Sequence, residues 1–323
     1  MILYHWQGHA PNFGDELNTM LWPALLPHFF DNDPATRFLG IGSILDSRHP
    51  PQATKVVAGS GYAGYERKAV LDQSWIIHWV RGPLTAAALG LPPALALGDP
   101  ATLLPYAIPC PAVEPVTIGF MPHFESLPRG PWPLAASLAG LTLIDPRDPP
   151  ATVLTSIARC RLLLSESLHG AIIADTLRVP WVALRPLAAI HREKWQDWAA
   201  TLDIALHPEH LAATCGAEWL AIRPWCQRRR IGRLLARHRD DLNEFWPNRF
   251  LDMAAGALRR AASADPHLSS DTALDRGQTR MLEAIAGLRR DPVRQSNRRT
   301  VTSIAGTGLH RLKKSEYQFW PVG

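Results

Sequence analysis

Cysteine is scarce and dispersed. Cys110, Cys160, Cys215 and Cys226 stand far apart in a chain of 323 residues, with no CxxC pair and no Cys/His ligand spacing. That argues against structural zinc and fits a reducing compartment in which the thiols are scattered buried groups. No stretch approaches the uninterrupted apolar length of a membrane span, and the opening Met1-Ile2-Leu3-Tyr4-His5-Trp6 lacks the charged-then-apolar layout of a signal peptide. A cytoplasmic protein is expected. The three-glycine dinucleotide fingerprint with its downstream acid is missing, which disfavours nicotinamide chemistry. Nucleic-acid motifs are absent as well, and no nucleic-acid partner is expected.

Hydrophobic residues make up 46% of the chain, enough in 323 residues for two core-forming units. Charge is unevenly spread. From Arg223 onward 20 Lys and Arg face 10 Asp and Glu, whereas the whole chain carries +5, so the preceding part is acidic. The basic segment reads either as solvated helical faces or as a peripheral contact with anionic lipid, to which each basic residue near the surface contributes about 1 kcal/mol.

Along the chain, short apolar strands alternate with turn signals and helix-like segments. In the first part, strands and strand–turns are expected at 1–6, 38–45, 55–62 and 75–80, with helices from Asp15 to about Leu26 and from Pro83 to Leu89. Leu97-Gly98-Asp99-Pro100 sets Asp99 as an N-cap and Pro100 at the first helical position. Beyond the proline-rich stretch 105–115, read as a hinge, the alternation resumes with strands at 116–120, 141–144, 161–164 and 181–184 and helices at 150–159 and 168–177. The pattern predicts an α/β fold of two doubly wound, Rossmann-like domains, residues 1–112 and 113–216, with a cleft between the carboxyl ends of their strands. A helical, basic extension and tail occupies 217–323, interrupted at Asp265-Pro266.

The densest chemistry lies at Ser165-Glu166-Ser167-Leu168-His169-Gly170, where a strand enters a helix. Free N–H groups and the helix dipole make such a start an anion site, and His169 between hydroxyl residues and Gly170 is a candidate acid or base there. Asn12-Phe13-Gly14-Asp15 follows the first strand in the same way, with Asp15 either an N-cap or a carboxylate able to take a proton from a hydroxyl. Arg81 ends the fourth strand as a fork-shaped donor for a carboxylate or phosphate. Arg185, His191, Arg192 and Lys194 follow the last strand and would line the same mouth with positive charge. The glycine turns Gly40-Ile41-Gly42-Ser43 and Gly59-Ser60-Gly61-Tyr62 serve close packing or the cleft. Among the 12 tryptophans, a few at the cleft rim would suit stacking on sugar rings.

Taken together, Asn12-Phe13-Gly14-Asp15-Glu16-Leu17-Asn18, Gly40-Ile41-Gly42-Ser43-Ile44-Leu45, Val80-Arg81-Gly82-Pro83-Leu84-Thr85, Leu97-Gly98-Asp99-Pro100-Ala101, the run from Ser165 to Asp175 and Lys194-Trp195-Gln196-Asp197-Trp198 resemble the polysaccharide pyruvyl transferase family over roughly the first 200 residues. Ser-Leu-His-Gly in place of the family's frequent Arg-Leu-His-Gly looks like the branch that makes ketals on secreted exopolysaccharides such as succinoglycan and xanthan. The resemblance implies a glycosyltransferase-B-like fold. It also implies transfer of pyruvate from phosphoenolpyruvate to a terminal hexose of a lipid-linked oligosaccharide, giving a 4,6-ketal and phosphate without metal or other cofactor. It casts His169 as the acid and Asp15 or Glu166 as the base. Arg81, Ser165, Ser167, Gly170, Arg185 and Lys194 would hold the donor, and Asn12, Gly14, Ser43, Ser60 and Tyr62 the acceptor. A nucleotide-sugar glycosyltransferase of the same fold and a non-catalytic scaffold of polymer assembly are the alternatives.

Overall fold

The computed structural model describes residues 1–221 and 247–290. Two four-stranded parallel sheets form its frame. The first contains β1 (Ile2–Tyr4), β2 (Thr36–Leu39), β3 (Thr54–Ala58) and β4 (Trp75–Trp79), hydrogen-bonded in that sequential order. The second contains β5 (Thr117–Met121), β6 (Thr142–Leu143), β7 (Cys160–Ser165) and β8 (Trp181–Ala183), ordered β6-β5-β7-β8. Between β5 and β7 the second sheet reverses its direction of growth, and a crevice opens outside the carboxyl ends of strands at such a switch point. The first sheet has no reversal. Its β2–β3 and β3–β4 connections carry no helix, because they are Gly-, Pro- and Ser-rich and lack helical apolar spacing.

Helix α1 (Phe13–Leu25) connects β1 to β2 and buries Phe13, Leu17, Leu21, Trp22 and Leu25, the spacing of one helical face. It begins two residues earlier than expected: Asn12 takes the N-cap position, and Asp15 falls in the first turn, where a carboxylate suits the helix dipole. Helix α2 (Pro83–Leu89) starts with proline and ends at Gly90 in the left-handed conformation. Asp99 caps a 3-10 helix (Pro100–Tyr106) by accepting from the Ala101 N–H at 3.0 Å. In the second half, α3 (Trp132–Leu138), α4 (Pro150–Ala158) and α5 (Leu168–Thr176) link the strands in turn, and α6 (Glu193–Ala199) follows β8.

Almost every residue of α5 is buried, because this helix lies in the core shared by both halves, together with Phe13, Leu17, Leu21 and the 3-10 segment at Leu103 and Leu104. The C-terminal helices divide between the halves. After α7 (Gly216–Ala221), α8 (Pro247–Ala261) packs on α3 beside the second sheet. Helix α9 (Asp271–Arg290) returns to the first, where Gln278 donates to the Thr102 carbonyl at 2.8 Å. Residues 262–270 separate α8 from α9, at the expected interruption. Cys160 and Cys215 are buried as expected; Cys110 is exposed, since it lies in the proline-rich stretch outside either core, and Cys226 falls outside the described residues. Most of the basic tail also lies outside them.

Candidate active site

Helices α1 and α5 bring their N-termini together where the carboxyl ends of β1 and β7 face each other. Gly14 makes the approach possible: a methyl group there would sit 1.9 Å from Nδ1 of His169. Phe13 N–H also donates across to the Pro146 carbonyl at 2.8 Å, tying the start of α1 to the second half. Asp15 is buried beside this contact and accepts from the Asn12 amide at 2.6 Å. Burial raises its pKa above the ordinary carboxylate value, and the charges of His169 and Lys194 with the Asn12 hydrogen bond oppose that rise. A carboxyl group so placed is moved toward the range in which a general base works.

Asn18 fixes the turn around Asp15. Its amide donates to the Asp15 and Ile41 carbonyls at 2.9 and 3.0 Å, while its oxygen accepts from Ile41 N–H at 2.8 Å and Trp22 Nε1 at 3.0 Å. The 40–43 turn is thereby locked against α1, and Gly42, at φ +126°, keeps its backbone clear of the Asp15 carboxylate. From the same turn, Ser43 accepts from Arg81 Nη1 at 2.8 Å.

Arg81 is fully buried. Its Nε donates to Asp197 of α6 at 3.1 Å, and Asp197 also accepts from the Thr85 hydroxyl and N–H at 2.6 and 3.0 Å. Gly61 passes directly against the guanidinium. The arginine thus couples the first sheet to α6 and sets the position of Lys194, which lines the cleft three residues before Asp197. Burial lowers the Lys194 pKa to about 8, helped by the Arg81 charge and opposed by Asp15, Glu125 and Glu166.

Glu166, expected as an alternative base, occupies a different place. Its oxygens accept from His123 N–H at 2.8 Å, the Ser126 hydroxyl at 3.0 Å and Leu187 N–H at 3.0 Å. Burial raises its pKa and these three donors oppose the rise. With its oxygens engaged, this carboxylate ties the loops after β5 and β8 to the turn after β7. Ser165 is likewise internal, donating to the Ser167 carbonyl at 2.7 Å. Ser167 holds the N-cap position of α5, and Gly170 packs against Ser165 and Met121.

Other expected residues separate by role. Ser60 donates to the Gly40 carbonyl at 2.6 Å, a buried turn contact, and Tyr62 turns its hydroxyl to the Glu66 carbonyl at 3.0 Å. The Arg185 side chain is exposed, while Arg192 folds back onto the Pro186 carbonyl at 3.0 Å. His191, by contrast, turns inward.

Sequence reasoning missed a row of rings across the cleft. Trp6 meets Phe124 at 5.7 Å between centroids, Phe124 meets His123 at 4.8 Å, His123 stacks on His191 at 3.9 Å, and His191 meets Tyr65 at 5.7 Å. Tyr65 donates to His191 Nδ1 at 2.9 Å in the tautomer whose Nε2–H points to Glu125 at 3.4 Å. Burial lowers the pKa of both histidines, favouring neutral rings. His123, Glu125 and His191 bring their ligand-type atoms within 4.8 Å of one another. However, Lys194 Nζ stands 3.5 Å from His123 Nε2 and Arg129 pairs with Glu125 at 2.9 Å, so protein cations already serve this group.

A buried acid, an imidazole and an ammonium gathered between two parallel sheets define an α/β enzyme suited to an anionic substrate. Comparison with known proteins narrows that class. The model of the polysaccharide pyruvyl transferase family matches residues 66–186, a stretch that holds Arg81, Asp99, Glu166 and His169. Succinoglycan biosynthesis protein ExoV of Rhizobium meliloti (strain 1021) is 35% identical over 311 residues, covering 89% of this chain and 98% of that protein. The chain belongs to the polysaccharide pyruvyl transferase family. No solved structure matches it.

Proposed function

We propose that this transferase moves pyruvate from phosphoenolpyruvate onto a terminal hexose of a lipid-linked exopolysaccharide repeat unit, forming a 4,6-linked ketal and releasing phosphate. The observation that carries the reading is the meeting of Asp15, His169 and Lys194 at the facing starts of α1 and α5. His169 delivers a proton to the methylene carbon of the donor. One sugar hydroxyl, losing its proton to Asp15, adds to the carbon bearing the carboxylate. The C–O bond to phosphate then breaks, phosphate leaving with the proton held by Asp15, and the second hydroxyl closes the ketal at the same carbon as its proton returns to the imidazole of His169. Of the cations expected to hold the donor's carboxylate, Lys194 is favoured by its closeness to His123 and Asp15, since Arg81 is committed to Asp197 and Ser43 and Arg185 is exposed.

The same reading takes residues 1–112 and 113–216 as the two units of a glycosyltransferase-B-like fold, with acceptor and donor on opposite sides of the cleft. The basic segment after Arg223 would rest on the cytoplasmic membrane face. No helix among the described residues is long and apolar enough to cross a membrane. The exopolysaccharide role is supported by the Rhizobium relative, a succinoglycan biosynthesis protein.

Incubation with phosphoenolpyruvate and lipid-linked oligosaccharides of the succinoglycan type tests the proposal. Acceptor-dependent phosphate release, with one pyruvyl group gained per acceptor by mass, is the expected result. No release with any such acceptor, together with tight binding of a nucleoside diphosphate, would point instead to sugar transfer.

A further inference from the structure

Asp99 and His169 face each other from opposite halves of the molecule. His169 Nε2 lies 3.6 Å from Asp99 Oδ2, both atoms are shut off from solvent, and neither has a hydrogen-bond partner closer. A buried nitrogen and a buried carboxylate oxygen left unpaired would each carry a desolvation cost, which their mutual approach offsets. The carboxylate is held from behind. Its other oxygen caps the 3-10 helix at Ala101 N–H, Pro100 fixes the chain beyond it, and Gly98 turns at φ +137° just before it.

The other edge of the imidazole has the opposite surroundings. His169 keeps 13% of its side chain exposed, and because Nε2 has none of this exposure, it belongs to the rest of the ring. Nδ1 packs on the Gly14 side, in the space a side chain there would fill, and unlike Nε2 it is not a solvent-excluded atom without a partner. The charged groups that face this imidazole are Asp99 from the 3-10 segment and Asp15 from α1, with His123 acting from the loop after β5.

We propose that Asp99 is a positioning residue for His169: it fixes the proton on Nε2 and leaves Nδ1 as the nitrogen that meets substrate. The proposal deepens the pyruvyl-transfer reading and rests on it for the role of Nδ1. In that reading Nδ1–H of the imidazolium gives the proton to the donor's methylene carbon, and Asp99 stabilises the charge while Nδ1 carries it.

Asp99→Asn separates positioning from support. The asparagine oxygen still accepts from Ala101 N–H, which turns the NH2 toward Nε2 and favours the tautomer protonated on Nδ1. Nitrogen-15 NMR of the neutral His169 ring in the full chain, without substrate and at a pH where the imidazolium has been lost, is expected to show a protonated Nε2 and bare Nδ1 in the parent and the reverse in Asp99→Asn. Turnover of Asp99→Asn is expected to fall about 100-fold or more in kcat with little change in KM for phosphoenolpyruvate and in melting temperature. Asp99→Ala, which also loses the cap, would match that fall in kcat and melt lower. A neutral parent ring protonated on Nδ1, an unchanged tautomer in Asp99→Asn, or an Asp99→Asn enzyme as fast as the parent would overturn the proposal. A parent with no phosphate release would count against pyruvyl transfer while leaving the tautomer result readable.

Discussion

The turns that lead into α1 and α5 solve one problem with different residues. Each must hold loops from neighbouring strands in place while leaving one titratable side chain facing the cleft. In the first, Asn18 makes the four hydrogen bonds that lock the 40–43 turn, and Asp15 is left with a single side-chain donor, Asn12. In the second, the carboxylate itself does the tying. Glu166 takes three donors from two loops, and the imidazole of His169 faces the cleft. Two buried carboxylates near one cleft therefore have unlike roles, and what distinguishes them is how many donors each already holds.

Substitutions on the cleft-facing side should have the largest effect. His169→Gln and Asp15→Asn are each expected to lower kcat by about 10²–10⁴-fold, the range for loss of a general acid or base, with melting temperature little changed. Steady-state phosphate release and calorimetry on the same preparations check this. Equal loss in Glu166→Gln with no loss of stability would erase the distinction between the two carboxylates.

Gly14→Ala is the next most severe. Alanine is the better helix former by about 1 kcal/mol, so backbone preference favours the variant. Its methyl group would nevertheless meet the His169 ring, and the ring has to move. A large drop in kcat without a drop in melting temperature is expected from kinetics and a thermal scan.

Lys194 gives a smaller, pH-dependent effect. Its pKa, lowered to about 8, means that the ammonium loses its proton as pH rises through that value, so attraction for an anionic donor is present below about 8 and fades above it. The kcat/KM for phosphoenolpyruvate should fall along that limb. Lys194→Met should be about 10- to 100-fold lower below pH 8 and lack the limb, since one charge-assisted hydrogen bond contributes about 1.5–3 kcal/mol.

Least affected in turnover should be the tying residues. Glu166→Gln sets an amide N–H2 against a backbone or hydroxyl donor, and Asn18→Ala leaves Ile41 N–H and Trp22 Nε1 without their acceptor. Each should cost about 1–3 kcal/mol of stability, read by denaturant titration, while kcat stays within about tenfold of the parent.

Local features were legible in the sequence because local rules decide them. The eight strands, the proline starts of α2 and α4, and the Asp99–Pro100 cap all follow from apolar runs and end signals within a few residues. His169 and Asp15 were legible as candidates because each stands at a strand-to-helix turn. What the sequence hid was pairing at a distance. Asp99 reads as a cap and is one, yet its second oxygen meets a histidine on another sheet's helix. Asp197 lies inside a recognisable stretch, but nothing local says that it neutralises Arg81. Tyr65, His123 and Glu125 belong to no motif and become visible only when the loops after β3, β5 and β8 converge. The role given to Glu166 changes for the same reason: its three donors come from residues 123, 126 and 187.

Transfer in deuterated water tests the central claim most directly. If His169 protonates the methylene carbon while a hydroxyl adds beside it, the pyruvyl methyl group of the product should carry solvent deuterium in step with phosphate release, and His169→Gln should yield neither. Phosphate release with an unlabelled methyl group, or a His169→Gln enzyme that turns over at the parent's rate, would contradict the account.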